Sequence, residues 1–120
     1  MGNISYNAKG VPFFDTTYAA EEYVKSQLKG KEQMVEVVDV RRVSYSNPTT
    51  TVRFLDEDYN VILETEGGFC IGYSGRGPWG IHDILVWLGF NEKVAKMVFE
   101  QDRQRLLVEK STMDFLAKSS

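Results

Sequence analysis

Between Thr16 and Gly30 the apolar residues Tyr18, Ala19, Tyr23, Val24 and Leu28 recur at helical spacing. Glu21, Glu22, Lys25 and Lys29 fall mostly on the other side, where their spacing of three or four residues suits ion pairs on a solvated face. Asp15 or Thr16 is the expected N-cap, and Gly30 closes the helix. From Met34 the period changes to two. Val35, Val37 and the Val38–Val40–Val43 region are interleaved with Glu36, Asp39, Arg41 and Arg42 and predict one long strand, with a bulge where the parity shifts at Val37–Val38.

Three further strands follow in the same reading. Ser46-Asn47-Pro48 is a turn, Thr49 to Leu55 a second strand, Asp56 to Asn60 a tight acidic turn and Val61 to Thr65 a third strand. Gly67-Gly68 turns the chain into a short fourth strand, Phe69 to Tyr73. Strands joined by such short turns form an antiparallel meander.

Pro78 then opens a helix carrying Trp79, Ile81, Ile84, Leu85, Trp87 and Leu88, with Gly89 as its C′ residue and Phe90 as the apolar contact that follows such a cap. Asn91 is read as the cap of a last long helix that turns Val94, Met97, Val98, Leu106 and Leu107 inward. Residues 1–12 read as a loose or edge-pairing arm, and residues 112–120 as a fraying tail. The predicted fold class is α+β: a four-stranded antiparallel meander sheet with an N-terminal helix and a C-terminal αα-hairpin packed on it.

Composition narrows this picture. At 120 residues, with 42% hydrophobic and 26% charged, the chain predicts a single domain with one core and little margin, so self-association into a homo-oligomer is a natural supplement. A formal net charge of -3 argues against a general nucleic-acid or acidic-membrane partner. A lone cysteine cannot form an internal disulfide, no apolar run is long enough for a bilayer, and the N-terminus resembles neither a signal peptide nor a myristoylation site, where Tyr6 replaces Ser or Thr. The expectation is a cytoplasmic protein without a cofactor.

Chemistry gathers in one stretch. Tyr73-Ser74-Gly75-Arg76-Gly77-Pro78-Trp79-Gly80 is a glycine-rich passage into a helix, where unpaired N–H groups and the helix dipole favour an anion. Arg76 adds a guanidinium fork, Ser74 a hydroxyl, and Tyr73 and Trp79 flat faces for a planar ring. The passage lacks the Lys-Ser/Thr of a Walker loop, and although Gly75 to Gly80 carry the letters G-R-G-P-W-G, the parallel-sheet βαβ context of a dinucleotide loop is missing; a tight structural corner needs the same residues. His82 stands in the first turn beside Asp83, Cys70 alternates with Phe69 and Ile71, and no pairing of histidines or cysteines has metal-ligand spacing. Arg41 and Arg42 point to opposite faces of their strand, and Arg53 on the next strand can stand across from one of them to form a basic pocket edge.

These residues (Tyr73, Ser74, Gly75, Arg76, Gly77, Trp79, His82, Arg41 and Arg53) point to a non-enzymatic protein that binds a small anionic, nucleotide-like molecule, a sensor or sequestering protein of the phage or bacterial signalling type by analogy. The first alternative is a protein–protein adaptor or inhibitor anchored by Trp79, Trp87, Tyr73 and Phe90. The others are a small hydrolase using His82, Asp83 and Ser74 or Cys70, and a helix-turn-helix DNA binder. In that last pattern, Leu85 occupies the usual small-residue position and Asn91-Glu92 opens a reading helix of mixed charge.

Overall fold

The structure is a computed structural model that describes residues 4–43 and 49–110. Among the described residues six strands and three α-helices succeed one another: β1 (Ser5–Tyr6), β2 (Pro12–Phe14), α1 (Thr17–Leu28), β3 (Val37–Val43), β4 (Thr49–Leu55), β5 (Val61–Gly67), α2 (Arg76–Leu88), α3 (Glu92–Ala95) and β6 (Arg105–Glu109). Short 3-10 turns at Glu32–Met34 and Lys96–Phe99 precede β3 and extend α3. The strands form one open sheet in the order β1-β2-β5-β4-β3-β6. Every neighbouring pair is antiparallel except β2 with β5, which is parallel.

The α+β class and the β3–β4–β5 meander agree with the alternation of the sequence. Val38 and Val40 stand opposite Phe54 and Val52 on one side and Val108 and Leu106 on the other, and all six are essentially solvent-free beneath the helices. Thr16 caps α1 by accepting from the Ala19 N–H at 3.2 Å. Gly89, with φ of 101°, ends α2, and the following Phe90 is buried. Asp56 holds the β4–β5 turn, its Oδ1 accepting from the N–H groups of Asp58 and Asn60.

The sheet differs from the four-stranded meander in three places. Phe69 to Tyr73 is not a strand, because β2 takes the edge of β5 beside which it would have paired, with Phe13 opposite Glu66 and Phe14 opposite Gly67. The chain leaves the sheet instead, and Gly72 satisfies its backbone elsewhere: its N–H donates to Val98 O at 2.8 Å and its C=O accepts from Asp102 at 2.9 Å. The arm pairs into the sheet as β1 and β2, which supplies two of the extra strands.

The long final helix does not form. One turn of α3 passes into a 3-10 turn, and after Asp102, with φ of 61°, the chain extends as β6, so the αα-hairpin is reduced to a short stub. Leu106 and Val108 face inward at period two, whereas Leu107 is 47% exposed. The bulge expected at Val37–Val38 is absent, since β3 keeps regular register with β4; the irregularity lies between Phe54 and Leu55 against β5. Both valines are buried, Val38 beneath the helices and Val37 on the opposite face. On the open face Val37 lies between Leu55 and Glu109, and Tyr59 reaches over from the β4–β5 turn to donate to the Glu109 carboxylate. The Ser46-Asn47-Pro48 turn and the 112–120 tail lie outside the described residues.

Candidate functional site

The corner is shaped first by how β5 ends. Gly67 and Gly68 have φ of 78° and 76°, the left-handed region that favours glycine. A Cβ on Gly67 would lie 2.3 Å from Phe14 O, and one on Gly68 2.6 Å from the Ala20 Cβ. The chain therefore passes tightly under β2 and the start of α1, where the Thr17 hydroxyl donates to Gly68 O at 2.6 Å.

Beyond it, Tyr73 folds back over the loop. A Cβ on Gly75 would meet the Tyr73 ring at 2.5 Å, and one on Gly77 would come within 2.8 Å of the Cys70 Cβ and 3.2 Å of the Tyr73 hydroxyl. Burial and the adjoining Cys70 push the Tyr73 hydroxyl above its ordinary pKa, and the charge of Arg42 pulls it part of the way back. Arg42, rather than Arg41, is the strand arginine that reaches this corner. Its guanidinium lies 5.9 Å from the Tyr73 ring centroid, and its Nη1 donates to Ile71 O at 3.2 Å.

Gly75 is the N-cap of α2 and offers no side chain to the first-turn N–H groups. The exposed Arg76 and the buried Gly77 follow it and line a depression of about 400 Å³ at the end of the sheet. Phe13 and Phe14 of β2, Thr17 of α1, Thr49 and Thr50 of β4, Cys70, Tyr73 and the exposed Asp15 share the lining with the turn at residues 67–69. Topology alone brings the three threonines and two phenylalanines to the corner, because they come from elements distant in sequence; a strand beginning Thr49-Thr50-Thr51 was the available hint. Among the expected site residues, Tyr73, Arg76 and Gly77 line the depression and Gly75 adjoins them; Ser74 is exposed on the same loop.

The remaining four are placed elsewhere. Trp79 and His82 do not line the depression and instead form a cluster with Phe99, with ring centroids 4.9 Å apart for Trp79–His82 and 4.6 Å for Trp79–Phe99. The buried His82 has Nδ1 3.0 Å from Asp83 Oδ1 and Nε2 3.9 Å from Glu92 Oε1. Arg41 and Arg53 project from the open face of the sheet. Arg41 Nε is 3.3 Å from Asp39 Oδ2 and Arg53 Nε is 3.4 Å from Glu64 Oε1. In register Arg53 stands opposite Asp39 and Arg41 opposite Thr51, so the two arginines do not face each other across the strands.

A second, larger groove of about 610 Å³ runs between α1 and the β1–β2 hairpin, with Ile4, Phe13, Tyr18 and Tyr23 in its wall. Among the described residues there is no cluster of three metal-ligating side chains and no helix long and apolar enough to cross a membrane. The helix after α2 has four residues, too few to lie along a DNA groove as a reading helix. No protein-family model matches the chain, and comparison with curated proteins and with solved structures gives no match.

Proposed function

We propose that the protein is a non-enzymatic binder of a small anionic, nucleotide-like molecule, acting as a sensor or sequestering protein. The observation that carries this reading is the depression at the end of the sheet, where Arg76 and Gly77 of the uncapped first turn of α2 share a wall with the hydroxyl-bearing Thr17, Thr49 and Thr50. An anion there meets N–H groups and a guanidinium, with the Thr49 and Thr50 hydroxyls as further donors, the Thr17 hydroxyl being committed to Gly68 O. Phe13, Phe14 and Tyr73 provide apolar and aromatic surface for a ring, and Asp15 an acceptor for a ligand hydroxyl. On this reading Tyr73, Ser74, Gly75, Arg76 and Gly77 serve the ligand. Trp79 and His82 stiffen α2 from its other side, and Arg41 and Arg53 belong to the sheet surface.

The adaptor reading draws on one observation of its own: Trp79 is 49% exposed while resting on Phe99, as an interface anchor would be. The two readings separate in one experiment. The natively purified protein is assayed for a carried small molecule, then titrated with inorganic phosphate and nucleoside phosphates while the amide resonances of Arg76 and Gly77 are followed. Arg76→Ala is expected to weaken binding about 10- to 100-fold, the loss of one charge-assisted pair, with an unchanged melting temperature. Equal affinity in the variant, or no response at millimolar ligand, overturns the ligand reading and leaves Trp79 as the residue to pursue.

A further inference from the structure

Of the two ends of the sheet, β1 offers two residues and β6 a full five-residue edge. Among the described residues no strand lies on the outer side of β6. The directions of its backbone groups follow from its pairing with β3. Arg42 N–H donates to Gln104 O at 2.8 Å and Lys110 N–H to Glu36 O at 2.9 Å, in a register that runs without a bulge from Arg41↔Arg105 to Val37↔Glu109. The even-numbered residues of β6 therefore turn N–H and C=O toward β3, and Arg105, Leu107 and Glu109 turn theirs outward. This edge carries no proline, no bulge and no inward-pointing charge; its two charges, Arg105 and Glu109, are opposite in sign, and the Arg103 guanidinium that donates to Arg105 O at 3.1 Å leaves that carbonyl a second lone pair.

We propose that this edge pairs with itself, two copies joining β6 to β6 antiparallel about a two-fold axis at Leu107, so that their sheets become one. The sequence Arg105-Leu106-Leu107-Val108-Glu109 is self-complementary in that register. Leu107 meets Leu107 of the partner subunit and exchanges both backbone bonds with it. Arg105 falls opposite Glu109 of the partner subunit, and the reverse, placing opposite charges in cross-strand pairs. The half-exposed Leu107 side chains meet on the open face, which covers apolar surface that a lone copy leaves in water. Arg105 keeps its bond to Asp39 and Glu109 its bond from Tyr59, since both carry further hydrogen-bonding capacity. The inference stands apart from the ligand reading, because the depression lies elsewhere in the fold.

The test is the mass in solution, by sedimentation or light scattering, of the full chain at tens of micromolar. The wild type is expected at twice the mass of one chain. Leu107→Lys, which sets two ammonium groups face to face, is expected to weaken association at least about tenfold with an unaltered circular dichroism spectrum. Leu107→Cys supplies an independent reading: a hydrogen-bonded antiparallel pair holds its Cα atoms about 5.5 Å apart, within disulfide reach, so mild oxidation links the variant into a dimer while the wild type, with Cys70 alone, stays unlinked. A monomeric wild type overturns the proposal. So does a dimer that Leu107→Lys does not loosen and Leu107→Cys does not trap, which would place the contact on another face, such as the α1 groove.

Discussion

On the helix-covered side of β3, Val40 is flanked by Val52 and Leu106, and the row carries no charge, its one polar side chain being the buried Thr65 beyond Val52. One residue away, on the open side, Asp39 lies between Arg41 and Arg105, and its carboxylate receives both Nε and Nη2 of Arg105 at 3.1 and 3.3 Å. Asp39 is 6% exposed, nearly as buried as the valines, whereas its two arginines are half in water. Burial is thus reached by opposite means on the two faces. The covered face excludes water with helices, and its stability scales with apolar area. The open face shields one carboxylate beneath two guanidinium forks, an arrangement that water and salt weaken and that contributes little per pair. The lesson is that the covered face holds the fold together and the open face keeps the sheet in register.

Breaking the covered face has the largest expected effect. Phe54→Ala removes a fully buried ring from the centre of the sheet and is expected to cost about 3–5 kcal/mol, read from denaturant unfolding. A loss under about 1 kcal/mol contradicts the assignment of the core to this face. Next comes the open face. Asp39→Ala frees two half-exposed arginines and is expected to cost about 1 kcal/mol, a loss that shrinks as salt is raised from low to about 1 M. If the cost matches that of Phe54→Ala and ignores salt, the two faces are not different in kind.

The smallest effect sharpens the comparison, because it concerns a charge on the covered side. Glu21 lies at the α1–α2 contact, where a Cβ on Gly80 would be 2.9 Å from its Oε1. Burial and, after it, the charge of Asp83 raise its pKa above the ordinary 4.5, against the pull of Lys25 and Arg76. A raised carboxyl pKa means that the fold prefers the protonated form. Its contribution is complete below pH about 4.5, is lost as pH rises through the elevated value, and is constant above it. Glu21→Gln is therefore expected to flatten the stability profile in that window and to leave neutral-pH stability equal or slightly higher. A variant less stable at pH 7 shows that the carboxylate is held by a partner, as Asp39 is.

Alternation and capping made β3, β4, β5, α1 and α2 legible, because each buries one face and ends on recognisable residues such as Thr16 and Gly89. β6 escaped notice because Leu107, apolar yet facing water, erases the alternation that Leu106 and Val108 carry. Phe69 to Tyr73 was misread for the converse reason: its apolar residues are core, but a strand needs an unoccupied neighbour, and β2 had taken that place. For the candidate site, the loop itself was visible in the glycines, and the opposite facing of Arg41 and Arg42 in their adjacency. The threonines of the depression, and the turning of His82 away from it, depend on how distant segments pack, which no local pattern records.

The bond from Arg105 to Asp39 joins residues 66 positions apart in the chain. During synthesis β3 and its carboxylate emerge well before the strand that covers them, so the meander must wait with one flank open. Closing so long a loop costs conformational entropy before any contact repays it. The interval before β6 arrives is when β3 is most open to pairing with the wrong chain, and the charged Asp39–Arg41 step in its middle makes such an error costly.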